Sequence, residues 1–190
     1  MPAIPTCTLT LDIEIPITNM VRENKQTGHV MIAIADHEGR IILGGKPSLF
    51  PPSIIRFVGG GVDEDETPQH AACRELSEEL GIVLSEEQLL PLAIVAITGV
   101  TPETSYPLTE YLFYAKVPQG QQIKAGDDVE TIEAIRLDEL PALVERYRTL
   151  DPTLRSNEWD RYPYRWLDYG NIYGRVHEIA YEEIRKKGLQ

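Results

Sequence analysis

The chain has 190 residues, 42% hydrophobic and 25% charged, with 30 acidic against 18 basic side chains and a net charge of −12. That is enough chain for one cored globular domain with an appendage, and its acidity disfavours binding to long nucleic acids, which depends on basic surface. With no apolar run able to span a bilayer and no basic, then apolar, N-terminal stretch, a soluble cytoplasmic protein without a membrane partner is expected. Thr8 to Ile15 alternates, with Leu9, Leu11, Ile13 and Ile15 on one side and Thr8, Thr10, Asp12 and Glu14 on the other, which predicts a half-buried strand. After a polar loop at Asn24–Gly28, two apolar runs, Val30–Ala35 and Ile41–Leu43, flank Asp36–Arg40 and read as a hairpin. Ile54–Val58 predicts a short strand entering the triple glycine Gly59–Gly61.

A helix follows. Thr67 is a good N-cap, Pro68 suits the first helical position and Gly81 suits a left-handed stop, so the spacing predicts a helix from Pro68 to Leu80. Leu92–Thr98 and Tyr111–Val117 predict strands separated by a loop holding Pro102 and Pro107, and Ile132–Leu137 predicts another. Asp138–Tyr147 predicts a helix with Pro141 in its first turn. The stretch to about Gly170 reads as irregular, and Asn171–Lys187 as a helix with Ile172, Val176, Ile179, Ala180 and Ile184 on one face. Strands and helices mixed in this way predict an α+β fold in a single domain over residues 1–190.

The helix from Pro68 carries the chemistry. At about 100° per residue, Glu75, Glu78 and Glu79 fall on one face at i, i+3 and i+4. Like charges so placed repel, and a cation relieves the conflict. Oxygen-only donors point to magnesium or manganese. Arg74 borders the face and can steady it. The same spacing also occurs on ordinary solvated helices, so the neighbouring residues decide. Cys73 lies on the apolar stripe with Leu76 and Leu80 and has no base beside it, which makes it a core thiol and not a nucleophile. The two cysteines and four scattered histidines offer no zinc-ligand spacing.

Gly60, Glu66, Arg74-Glu75, Leu76, Glu78-Glu79, Gly81 and Ile82 fill every position of the Nudix hydrolase signature, which is glycine, five residues, glutamate, seven residues, Arg-Glu, an aliphatic, one residue, Glu-Glu, one residue, glycine and an aliphatic. The chain therefore resembles that family, over a core of about 28–144 flanked by an N-terminal strand extension (1–27) and a C-terminal helical extension (145–190). The resemblance implies a mixed sheet sandwiched by helices, with the signature as loop, helix and loop. It implies a divalent metal held by Glu75, Glu78 and Glu79 with the carbonyl of Gly60. It gives catalytic roles to Glu78, Glu79 and Arg74, and to Glu66 a structural role in pairing with Arg74. The general base is a signature glutamate or an acid on a distant loop, where Asp127, Asp128, Glu130 and Glu133 are the candidates; a solvent-facing turn explains that cluster equally well. Val58 stands where the family often has proline.

The implied reaction is magnesium-dependent hydrolysis of a phosphoanhydride bond in a nucleoside diphosphate linked to another group, such as ADP-ribose. The alternatives are a nucleoside triphosphate pyrophosphohydrolase and a silent Nudix-fold binding or regulatory module. The partner is then a small nucleotide-like molecule. Trp159, Tyr162, Tyr164, Trp166, Tyr169 and Tyr173 either stack a base or pack the C-terminal helix. The N-terminal strand either pairs in a homodimer or completes the monomer's own sheet.

Overall fold

In the computed structural model, which describes residues 3–14, 17, 28–51, 54–126, 128–156 and 163–189, the predicted runs assemble into one mixed sheet. Its strands are β1 (Thr6–Asp12), β2 (Gly28–Ala35), β3 (Ile41–Gly45), β4 (Ile55–Arg56), β5 (Gly61–Val62), β6 (Leu90–Val100), β7 (Ser105–Lys116) and β8 (Thr131–Ile135). The order is β1-β6-β7-β2-β3-β4, with β5 on β2 and β8 on β3. The helices are α1 (Pro68–Leu80), α2 (Leu140–Arg148) and α3 (Trp166–Lys186). No helix among the described residues is long and apolar enough to cross a membrane.

Central strand β2 is buried throughout, because both faces of the sheet are covered. Val30, Ile32 and Ile34 pack with Ala71, Leu76 and Leu80 of α1. Met31, Ala33 and Ala35 belong to the cluster that holds Leu143 and Tyr147 of α2 and Ile172, Tyr173 and Val176 of α3. The fold is thus α+β, a sheet between helices.

The β2–β3 hairpin pairs only at Ile34–Ile42 and Ala35–Ile41 and then diverges. The chain from Ile55 to Val62 fills that fork: β4 pairs with β3, Val58 bridges to Ile32, and β5 pairs with Gly28 and His29. This insertion sets the glycine run beside α1. Gly59 has φ 150°, and a Cβ there would lie 2.0 Å from the Val30 carbonyl oxygen, so no other residue fits.

Two expectations change, and one open alternative is resolved. Pro107 lies inside β7, not in a loop: β2 begins pairing only at Glu110, so this stretch of β7 has β6 alone as neighbour and tolerates a missing N–H. Helix α3 starts at Trp166 and runs through Gly170. A Cβ on Gly170 would lie 2.2 Å from the Tyr147 carbonyl oxygen, so this glycine marks close helix packing, not an irregular stretch. Finally, β1 pairs in parallel with β6 in the same chain, from Thr6–Ile94 to Asp12–Val100, and stands at the sheet's edge with its threonines exposed. Ile15 and most of the Asn24–Gly28 loop lie outside the described residues.

Candidate active site

Helix α1 begins and ends as its sequence dictates. The Thr67 hydroxyl accepts from the His70 N–H at 3.1 Å, Pro68 opens the first turn, and Gly81 (φ 66°) closes the last. The Ile82 N–H then donates back to the Leu76 carbonyl at 3.0 Å. With Ala71, Ala72, Leu76 and Leu80 docked on the sheet, Glu75 and Glu79 reach the glycine loop. The Gly59 N–H donates to Glu79 Oε2 at 2.8 Å. A Cβ on Gly60 would lie 2.2 Å from Glu75 Oε1, so the missing side chain makes room for that carboxylate. The Gly60 carbonyl accepts from the Val30 N–H at 2.8 Å, which leaves it one lone pair. Glu78 stands at the rim, its side chain 47% exposed.

Arg74 is saturated by neighbours. Its Nε and Nη2 donate to the two oxygens of Glu66 at 3.1 and 3.0 Å, and Nη2 also donates to the Gly61 carbonyl at 2.9 Å. Its Nη1 donates to Glu75 Oε1 at 2.6 Å and Glu78 Oε2 at 3.1 Å. The contact with Arg74 pulls the Glu66 carboxyl below its ordinary value, and the same contact, with that of Glu75, raises Arg74. Burial pushes Glu75 and Glu79 the other way, above the ordinary carboxylate range. Burial likewise raises the Cys73 thiol, helped by Glu86 and Glu87, which keeps it protonated and inert.

The donor set fits a hard divalent cation in its chemistry: two desolvated carboxylates one turn apart, a third at the rim and a carbonyl with a free lone pair. Among the described residues no three carboxylates, imidazoles or thiols already converge as ligands. Arg74 Nη1 lies between Glu75 and Glu78 and supplies positive charge there, taking Glu75 Oε1 and Glu78 Oε2 and leaving the second oxygen of each carboxylate for a cation.

The NUDIX domain model matches residues 25–168. This chain belongs to the Nudix family. Among curated proteins it is 38% identical over 66 residues to the RNA pyrophosphohydrolase of Gluconobacter oxydans, which is 35% of either chain. It is 41% identical over 54 residues to the CTP pyrophosphohydrolase of Escherichia coli, covering 28% of this chain and 40% of that one. The alignments thus span well under half the length of these relatives. A solved MutT protein from Bacillus halodurans aligns with a TM-score of 0.51 at 20% identity, over 60% of this chain and 71% of that one, a likeness of fold.

The loop acids of this Nudix chain separate. Asp127 lies outside the described residues. Asp128 lies close enough to Glu79 for its charge to raise that carboxyl, and it pairs with Lys46. Glu130 accepts from the Ser48 N–H at 3.1 Å and from its hydroxyl. Glu133 lies on β8 and lines a cavity of about 190 Å³ with Gly45, Pro47 and Ile54. The loop itself caps α1, with Lys124 N–H donating to Leu80 O at 3.0 Å and Gly126 N–H to Glu79 O at 2.8 Å. A larger cavity, about 650 Å³, lies at the Asp36–Arg40 turn, at the other end of β2 from the carboxylates.

Sequence reasoning missed three polar residues on the α3 side, His29 and Glu110 buried and Arg56 partly so. His29 Nδ1 lies 3.0 Å from Glu110 Oε2, and both are buried. Arg56 approaches Glu79 Oε1 at 3.6 Å. The available signal was a charged or imidazole group at an inward-facing strand position, Glu110 between Leu108 and Leu112 and His29 in phase with Met31. Of the aromatic cluster, Tyr164, Trp166, Tyr169 and Tyr173 are buried and pack α3, whereas Trp159 and Tyr162 lie outside the described residues.

Proposed function

We propose that this chain hydrolyses a phosphoanhydride bond in a nucleoside diphosphate linked to another group, with magnesium as cofactor and manganese as a substitute. The observation that carries the reading is the pair Glu75 and Glu79, buried one turn apart against Gly59 and Gly60. Glu75, Glu78, Glu79 and the Gly60 carbonyl would hold the metal. When bound it neutralises phosphoryl charge and lowers the pKa of a water molecule.

The chain's own residues do the rest. Glu66 fixes Arg74, and Arg74 in turn sets the positions of Glu75 and Glu78. Of the exposed candidate acids, Glu78 lies on the helix face itself and Asp128 lies near enough to act on Glu79, at 47% and 64% side-chain exposure, and either can accept the water proton. The helix face is rigid, so the carboxylates are held in place before substrate arrives.

The group beyond the diphosphate is either a sugar, as in ADP-ribose, or a further phosphate, as in a triphosphate. The name of one curated relative, a CTP pyrophosphohydrolase, favours the second. Among the described residues of the aromatic cluster, Tyr164, Trp166, Tyr169 and Tyr173 are buried and offer no open stacking surface that would favour the first. A silent binding module is disfavoured because each metal-binding carboxylate of the signature is retained. The test is a phosphate-release screen over nucleoside triphosphates, nucleotide sugars, ADP-ribose and dinucleoside polyphosphates, with magnesium and with chelator. No magnesium-dependent turnover of any of them would end the hydrolase reading. The outer edge of β1, unpaired among the described residues, further supports a homodimer, and light scattering that gives a monomer at micromolar concentration rejects it.

A further inference from the structure

Two arginines flank the carboxylate face, and they are used very differently. Arg74, on the outer side, makes five polar contacts between 2.6 and 3.1 Å. Arg56, on the inner side, has far fewer. Among the described residues its Nη1 reaches the Gly59 carbonyl at 3.4 Å and its Nη2 pairs with Glu79 Oε1 at 3.6 Å. Charge-assisted hydrogen bonds of this kind run at about 2.7–2.9 Å. The remaining donors of a guanidinium only 15% exposed have no protein acceptor among the described residues.

The surroundings hold the group in place without satisfying it. Its Cζ lies 5.2 Å from the centre of the Phe50 ring. Glu79 takes its short hydrogen bond from Gly59, not from Arg56. Nearby, the Tyr147 hydroxyl is already spent on the Ile55 carbonyl at 2.8 Å. A mostly covered cation with spare donors, beside a carboxylate held by another group, calls for an anion that the described residues do not supply. A phosphoryl group is such an anion, and its paired non-bridging oxygens match the guanidinium fork.

We propose that Arg56 is a substrate-binding residue, which takes the non-bridging oxygens of a phosphoryl group on the α3 side of the site. The inference rests on the hydrolase reading above. A role as counter-ion to Glu79 alone is the competing explanation, and lysine separates the two: it restores a charge beside Glu79 but not a two-pronged donor.

The experiment is calorimetric titration of magnesium-loaded wild type, Arg56→Lys and Arg56→Gln with methylene-bridged, non-hydrolysable analogues of ADP-ribose and of CTP. KM and kcat are measured on whichever parent nucleotide is hydrolysed, and thermal melts check the fold. Arg56→Lys is expected to weaken analogue binding about tenfold, and Arg56→Gln about 10- to 100-fold, on the scale of losing charged hydrogen bonds, with KM rising more than kcat falls. Wild-type affinity in a folded Arg56→Lys chain overturns the proposal and leaves the hydrolase intact. An Arg56→Lys chain that cannot fold also overturns it, since the guanidinium would then be committed to packing. A wild type that binds neither analogue and hydrolyses no nucleotide removes the hydrolase reading, and this inference with it.

Discussion

Glu66 and Arg74 meet through two parallel bonds, Nε to Oε1 at 3.1 Å and Nη2 to Oε2 at 3.0 Å, across the loop that leads into α1. The pair ties the start of the signature to its helix. It also holds the guanidinium so that only Nη1 faces Glu75 and Glu78. Removing the charge on Glu66 frees Arg74 to bind those two more fully. Glu66→Gln should therefore lower kcat by roughly tenfold and shift the magnesium titration to higher concentration. A variant with unchanged magnesium dependence would show that the pair serves the fold alone.

Glu79→Gln keeps the side-chain shape and removes the charge that faces the glycine loop. Turnover should fall roughly 10²- to 10⁴-fold, the scale of losing one principal polar contribution to catalysis. Activity within a few-fold of wild type, on a verified substrate, would discard the assignment of Glu79 as a ligand.

His177 sets a pH dependence of stability. Its Nε2 accepts from the Phe57 N–H at 3.0 Å and its Nδ1 lies 2.7 Å from the Tyr173 carbonyl, so the ring is held neutral. Burial pushes its pKa down to about 4 from an ordinary 6.5. The unfolded chain takes up this proton below about pH 6.5, the folded chain only near 4. The contribution is full above 6.5, declines as pH falls through that window, and declines no further below 4. At most it reaches about 3 kcal/mol. His177→Gln keeps an acceptor for Phe57, and its urea-unfolding free energy should vary less between pH 7 and 4.5 than that of wild type. Identical slopes would refute the account.

Gly170 tests the contact between α2 and α3. An added methyl would meet the Tyr147 carbonyl, so Gly170→Ala should cost about 1–3 kcal/mol through overpacking, despite the better helix propensity of alanine. The urea midpoint should drop with the slope unchanged. A stabilised variant would mean that the helices separate without penalty.

Helix α1 was legible to the residue because Thr67, Pro68 and Gly81 are local signals, and the carboxylate face follows from its period. The limits of β7 and α3 were not. Pro107 and Gly170 are read locally as breaks, but what each tolerates depends on which neighbour lies alongside. Arg56, Glu110 and His29 escaped for a related reason. The strand period puts Glu110 and His29 in phase with inward-facing neighbours, but only the docking of α3 shows what they face there. The pairing of Asp128 with Lys46, and of Glu130 with Ser48, likewise joins loops distant in sequence.

The forked hairpin has a consequence for how the family's loops can vary. The segment from Ile55 to Val62 is an interior thread of the sheet, hydrogen-bonded to β3 at one end and to β2 at the other. One residue gained or lost there would put Gly59 and Gly60 out of step with Val30 and pull the loop off Glu75 and Glu79. Length variation is better tolerated at the turn 46–49 just upstream, where added chain costs mainly loop entropy. Insertions placed there could change what the site admits while leaving the carboxylates where they are.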